Sequence, residues 1–298
     1  MDGHKSIRHV VITPSRNDET HLRKLFNSMI NQTLIPSEWI IVLHNPKETI
    51  SHSLQSDFAP FKWISIVIVN DDSNRKRGAQ IARMVNFGIS KLSCKWDYLS
   101  KIDADMTLPS DYFEQLFAEF SKNPNLGIAS GSCYIIENGS RKKEKVSENH
   151  TRGGLKTYRE QCYDQICGIR EVDGWDGVDN ILAQMRDWET MNFSKIEVLH
   201  GRRTGSSSGL LRGCFESGRF AYSLRYFFPF IIARSIHQMF RKPIFFGGIF
   251  MFSGYIFGVI TRKKPSLSKD EAMFLHKSQK NISIDTIKNY IPDIQSKT

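Results

Sequence analysis

The sequence predicts an α/β protein, a mostly parallel sheet with helices on both faces, followed by a helical C-terminal region. Three observations predict it. Short apolar runs alternate with amphipathic stretches over the first 130 residues, as β-α units do. An Asp-x-Asp, Asp103-Ala104-Asp105, stands at the end of one of those runs. Charge is partitioned along the chain: residues 1–200 carry 25 Lys and Arg against 26 Asp and Glu, and residues 201–298 carry 16 against 5. The net charge of +10 therefore belongs to the last third, and the chain divides into residues 1–205 and 206–298.

Residues 9–13 read as a buried strand ending at Pro14. Asn17 or Asp18 can cap a helix from residue 19 to about 31, with Leu22, Leu25, Phe26, Met29 and Ile30 on one face. Residues 39–43 and 64–69 are two further buried strands. Residues 78–92 form a helix with Ile81, Val85 and Ile89 four apart. Residues 98–102 are the fourth strand, and Tyr112, Phe113, Leu116, Phe117 and Phe120 stripe the next helix. Residues 128–136 form a strand and residues 137–145 a solvated hairpin tip. Residues 178–188 form a helix, 195–199 a strand and 201–213 a Gly, Ser and Arg-rich loop or linker.

Asp103 and Asp105 leave a strand at the sheet edge where α/β proteins bind ligands. Two carboxylates at i and i+2 there can reach one hard cation, Mg²⁺ or Mn²⁺, which takes oxygen ligands and often substrate phosphates. Five cysteines make an odd number with no C-x-x-C pair, and Cys162 and Cys167 lack zinc-ribbon spacing, so reduced thiols in a cytosolic compartment are expected. Residues 1–8 lack the apolar stretch of a signal peptide.

The last third differs. Residues 229–241 read as an amphipathic helix, with Arg234, His237, Gln238 and Arg241 on one side and Ile232, Ile236, Met239 and Phe240 on the other. Residues 243–260 are eighteen residues without a charge, bracketed by Arg241-Lys242 and Arg262-Lys263-Lys264. A straight helix of that length spans about 27 Å, short of a ~30 Å hydrocarbon core. Gly254 and Gly258 make a G-x-x-x-G. The expectation is a segment lying in a membrane interface rather than spanning it, with a buried helical hairpin as the alternative.

Val10-Val-Ile-Thr-Pro-Ser-Arg-Asn-Asp-Glu19, Trp39-Ile-Ile-Val42, Asn86-Phe-Gly-Ile89 and Asp103-Ala-Asp105 occur in the order and approximate spacing of family 2 glycosyltransferases. The chain resembles that family, whose fold is GT-A. Gly174-Trp-Asp-Gly-Val-Asp179, His200 with its Gly/Ser loop and the apolar tail look like a bacterial polysaccharide-building branch. The resemblance implies an inverting, metal-dependent transferase that moves a sugar from a nucleotide-sugar to a hydroxyl of a lipid-linked or saccharide acceptor. Its setting would be cell-surface polysaccharide or glycolipid assembly, with peripheral or monotopic attachment at the cytoplasmic face of the cell membrane.

The resemblance also implies a site. Thr13, Pro14, Ser15 and Arg16 would lie along the nucleotide, with Arg16 at phosphate. Family members place acidic residues after the second strand to meet the base; here His44 and Asn45 stand there. The family's basic residue before Asn86 is Val85 here, which leaves Arg77 or Arg83 for the phosphates. Asp103 and Asp105 would hold the metal, with Asp103 open to a ribose contact instead and His200 either a further ligand or a structural residue. Asp179 occupies the expected position of the general base, and Asp176, three residues earlier, is either a second candidate or a helix cap. Arg202 and Arg203, with the serines at 206–208, form a basic loop over the diphosphate or a plain linker. Three other readings stand beside this one. A sugar nucleotidyltransferase would need a Gly-rich phosphate loop, and Thr13 to Arg16 contains no Gly. A nucleic-acid-binding tail is opposed by the uncharged aromatic block, so no nucleic-acid partner is expected. A membrane-bound sugar- or nucleotide-binding protein without catalysis would lack metal-dependent turnover.

Overall fold

A computed structural model describes residues 7–16, 18–71, 78–137, 139–144, 147–202, 209–277 and 279–280. The chain divides into two compact units, Met1–Arg203 and Thr204–Thr298.

The first unit is an α/β layer structure. In chain order its elements are β1 (His9–Ser15), α1 (Glu19–Ile30), β2 (Glu38–His44), α2 (Glu48–Phe58), β3 (Ile64–Val69), α3 (Ala79–Ile89), β4 (Tyr98–Ile102), β5 (Met106–Thr107), α4 (Tyr112–Lys122), β6 (Leu126–Glu137), β7 (Ser140–Lys143), β8 (Leu155–Arg159), α5 (Glu160–Gln165), α6 (Trp175–Gln184) and β9 (Glu189–His200). Among the described residues the sheet runs β3-β2-β1-β4-β8-β6-β9-β5, with β7 paired to β6. β1 to β4 are parallel, as βαβ units require, and β8 joins antiparallel to both β4 and β6. The antiparallel half is what departs from a simple doubly wound sheet.

β1 and β2 are buried along almost their whole length, which is why they read as continuous apolar runs. Pro14 is tolerated inside β1 because the β1–β4 pairing stops at Ile12, so no β4 carbonyl waits for the missing N–H. Leu22, Leu25 and Met29 bury one stripe of α1, and the aromatic stripe of α4 closes the same core on Trp39 and Tyr98. α3 differs from its expected face. It buries Ala82, Met84, Val85 and Gly88. A Cβ on Gly88 would lie 2.7 Å from Ile12 and 2.9 Å from Val42, so the glycine lets the helix settle on the sheet. The expected solvated hairpin is present as a paired one: β7, all four residues exposed, pairs antiparallel with β6, and the Glu144 amide donates to the Cys133 carbonyl (2.9 Å).

The second unit contains α7 (Leu210–Ser223), α8 (Phe228–Met239) and α9 (Phe246–Ile260). The segment read as a linker up to residue 213 is thus helical from Leu210 onward, while residues 203–208 lie outside the described residues. α7 and α9 cross at glycine: a Cβ on Gly218 would stand 1.8 Å from the Met251 carbonyl oxygen, and one on Gly254 1.9 Å from that of Phe215. No described helix is long and apolar enough to cross a membrane.

Candidate active site

The carboxyl ends of β1, β2 and β3 carry one polar cluster. His44 Nε2 meets Asp71 Oδ1 at 2.9 Å, and its Nδ1 lies 3.5 Å from Arg16 Nη1. Asn45, at φ +47°, clasps Asp71 from both sides: its Nδ2 donates to the Asp71 carbonyl (2.7 Å) and its Oδ1 accepts from the Asp71 amide (2.9 Å). Arg83 Nη2 stands 3.6 Å from the second Asp71 oxygen. Sequence reasoning missed Asp71. Its signal was an Asn-Asp-Asp directly after the third apolar run, and it sets a carboxylate just beyond β3 against His44 and Asn45. Ser15 is buried at the end of β1 and Pro14 is half-buried beside it. Thr13 is a correction: its side chain is fully buried and its Oγ1 accepts from Trp39 Nε1 (2.9 Å), so it supports the core rather than facing a nucleotide. Arg77 and Arg203 lie outside the described residues.

The second cluster gathers around Asp105. β5 pairs with β9 so that Met106 faces His200, and the Gly201 amide donates to the Asp105 carbonyl (2.7 Å). This backbone zip carries His200 and Arg202 onto the Asp-x-Asp turn. Asp105 Oδ2 receives Arg202 Nε at 3.0 Å and has His200 Nε2 at 3.6 Å. Arg202 also reaches Asp18. Burial acts to raise the Asp105 carboxyl, but His200 and Arg202 outweigh it and hold the group at about 2. Burial likewise opposes charge on His200, and Asp105 with Glu144 overcomes it, lifting the imidazole to about 9. Glu144 enters through the β6–β7 hairpin and accepts from His200 Nδ1 (3.0 Å) and Arg152 (2.7 Å). It was not legible because only the hairpin brings it there.

Asp103 has a partner of its own. Its Oδ1 accepts from buried Lys101 (2.5 Å), and a Cβ on Gly154 would lie 2.8 Å from its Oδ2. Burial raises this carboxyl, and Lys101 pulls it back. The described residues hold no ready-made cluster of three or more His, Cys, Asp and Glu ligands. The donor set still fits a hard divalent cation. Asp105 already draws two cationic groups to one oxygen, and a Mg²⁺ or Mn²⁺ ion needs only one or two carboxylates when diphosphate oxygens complete its shell. Asp105 and Asp103 would hold it, with His200 joining after losing its proton.

The acceptor-side carboxylates separate. Asp179 is 1% exposed, takes hydrogen bonds from Lys156 Nζ and Tyr158 Oη, and accepts from the Asn180 amide (2.8 Å). This corrects its expected role, because no acceptor hydroxyl reaches a carboxylate enclosed by those donors. Asp176 is half-buried in the first turn of α6. It does not cap that helix: Gly174 does, at φ +73°, without a side-chain hydrogen bond. Its Oδ2 lies 2.9 Å from where a Gly153 Cβ would be, so Gly153-Gly154 separates the Asp176 and Asp103 carboxylates by bare backbone. Lys101 Nζ donates to the Gly153 carbonyl, and Lys156 Nζ donates to the Asp176 carbonyl (2.6 Å). Both ammonium groups lie over Trp175, at 5.4 and 5.6 Å. Sequence reasoning missed both lysines and the glycine pair.

Comparison with known proteins identifies the family and the fold. The family model described as Glycosyl transferase family 2 matches residues 10–172. An uncharacterized glycosyltransferase of Methanocaldococcus jannaschii is 26% identical over 155 residues, which cover 52% of this chain and 51% of that protein. The chain thus spans about half the length of the curated relative it matches. Among solved structures, the mannosyltransferase PcManGT from Pyrobaculum calidifontis, in complex with GDP-Man and Mn²⁺, superposes with a TM-score of 0.54 at 11% identity, covering 94% of this chain and 84% of that one. S. aureus TarS 1-349 with UDP-GlcNAc gives 0.53 at 14%, over 72% and 66%. GalNAc-T7 with UDP, GalNAc and Mn²⁺ gives 0.54 at 12%, over 68% and 45%. At these identities the likeness is one of fold, the GT-A fold, and with the family match it leads to one conclusion: this chain belongs to glycosyl transferase family 2.

Proposed function

We propose that this protein is an inverting, divalent-metal-dependent glycosyltransferase that moves a sugar from a nucleotide-sugar to an acceptor hydroxyl. One observation carries the reading. A strongly acidic Asp105 is flanked by His200 and Arg202 through the β5–β9 pairing, and the Asp103 carboxylate and the Asp176 carboxylate of α6 stand on either side of Gly153-Gly154. The His44, Asn45 and Asp71 cluster supplies donors and acceptors suited to a nucleobase, with Arg16 and Arg83 beside it. Asp105 would hold a divalent cation, which would supply Lewis-acid neutralisation of the departing diphosphate. Asp176 is the base: a half-buried carboxylate across bare backbone from the donor side, it takes the acceptor proton as the oxygen attacks. A single displacement inverts the anomeric centre. The acceptor belongs to a cell-surface polysaccharide or glycolipid, a reading supported by the Gly174 to Asp179 motif and the apolar tail.

The test is a panel of nucleotide-sugars with Mn²⁺, scoring nucleotide release that depends on acceptor, with the product anomer read by NMR. Transfer should vanish with chelator and in Asp105→Ala, with the fold kept. Full activity of Asp105→Ala in chelator rules out the metal role, and a retained anomer rules out the single displacement.

A further inference from the structure

The second unit packs α7 on α9 through glycine around a small core of Ile231, Met251 and Tyr255, and leaves many large apolar side chains outside. Gly218 and Gly254 sit at the α7–α9 contact, and Gly258 packs on Tyr222, where a Cβ would come within 2.7 Å of the ring. The opposite faces carry the bulk. On α8, Phe228, Ile232, Ile236 and Phe240 are spaced by four and all exposed, Phe240 by 71%. On α9, Phe246, Phe250 and Phe257 form a second exposed stripe. Ile244 and Phe245, 64% and 63% exposed, join the two at the turn. In water so many exposed rings are unfavourable, since aromatic burial is a main source of stability. This is the distribution of helices that pack through glycine and turn apolar side chains to lipid.

Charge identifies the occupant. Residues 217–269 contain no Asp or Glu and nine Lys and Arg. Arg241 and Lys242 stand exposed at the turn, and Arg262 and Lys264 at the far end of α9. A second copy of this chain would bring the same positive charge against the face. Anionic headgroups would instead be attracted at each cation, by about fivefold in affinity apiece. α9 has 15 residues, so it measures about 22 Å and stops short of a ~30 Å core.

We propose that the outward face of α8, α9 and their connecting turn seats this protein in one leaflet of an anionic lipid bilayer, without spanning it. The inference is independent of the donor site and goes beyond the proposed chemistry. It is tested by flotation of the full chain with zwitterionic vesicles, and with vesicles that also contain an anionic phospholipid. Wild-type protein should float with the anionic vesicles and remain partly bound in 1 M salt, where the Debye length is ~3 Å. Phe245→Glu with Phe246→Glu should lower partitioning by about tenfold per ring and leave the melting temperature unchanged, because both rings are exposed. Arg241→Gln with Lys242→Gln should weaken binding to anionic vesicles only. Protein that never floats, or floats equally well with both phenylalanines replaced, overturns the proposal. So does a dimer, seen by light scattering without lipid, that the phenylalanine replacements split, since that outcome assigns the face to a second copy.

Discussion

Asp176→Asn and Asp179→Asn should fail in opposite ways. Asp179 is enclosed with Lys156, which is itself fully buried; burial pushes the carboxyl up and the ammonium down while each pulls the other back toward charge. Asparagine at 179 leaves that ammonium without its counter-ion. Breaking one side of a buried pair costs about 3–5 kcal/mol. For a unit of about 200 residues, each kcal/mol lowers the melting temperature by about 2–4 °C, so the expected drop is roughly 6–20 °C. Among the described residues no hydrogen bond holds the Asp176 carboxylate, so Asp176→Asn should stay within about 0.5 kcal/mol of wild type. Its loss should appear in turnover: a missing general base lowers kcat by about 10²–10⁴. Thermal melts, donor titration by calorimetry and single-turnover kinetics separate the two. If Asp179→Asn melts like wild type and is inactive while Asp176→Asn turns over normally, the reasoning is refuted and Asp179 must reach the acceptor.

Three further outcomes are expected. His9 is buried between Phe113 and Phe117, its Nε2 meets no hydrogen-bond partner among the described residues, and burial lowers the imidazole to about 3. Between pH 6.5 and 3 the unfolded chain therefore binds a proton that the native state refuses. Stability falls as pH drops through that window, by about 2 kcal/mol at pH 5; His9→Phe should remove this slope in urea titrations at pH 7.5 and 5, and an unchanged slope assigns it to other groups. Asp71→Ala should release His44 and Asn45 and weaken donor binding about 10–100-fold with kcat preserved at saturation, and unchanged affinity would exclude the cluster from the nucleotide site. Gly254→Leu should drive a side chain into the Phe215 carbonyl and destabilise the α7–α9 crossing by about 1–3 kcal/mol or more; a melt of the second unit identical to wild type would contradict the close approach.

The elements that the sequence made legible are those whose burial follows a simple period. β1 and β2 are buried apolar runs, and α1 and α4 have clean stripes; β3, expected to be buried, is instead an edge strand with Ser65 and Ile68 exposed. α2 was invisible because its buried face is Ser51, Leu54 and Phe58, and a serine interrupts the count. β8 was invisible for a stronger reason: its second residue is a fully buried lysine, which no hydrophobic pattern places in a core. The same lysine accounts for the Asp179 misreading. Spacing along α6 put both aspartates on one face, but only the sheet shows that Lys156 and Tyr158 stand opposite one of them. Asp105 and His200 could be brought together beforehand only through the family resemblance, which implies both as metal ligands. Glu144 and Asp71 could not, since each arrives through a neighbour in space that is distant in the chain.

The two ammonium groups over Trp175 have an optical consequence. The indole is 4% exposed, so solvent relaxation contributes little to its emission, and the fixed charges of Lys101 and Lys156 set the local field instead. Lys101 is bonded to Asp103 and Lys156 to Asp179 and the Asp176 carbonyl. Any change of charge at Asp103, or any shift in the first turn of α6, therefore alters the field along the excited-state dipole. Trp39 and Trp63 stack on each other at 6.0 Å, and Trp188 is tied to Gln165, so neither environment shares these lysines. The difference in emission between wild type and Trp175→Phe is thus a label-free spectroscopic gauge of the carboxylates on both sides of Gly153-Gly154.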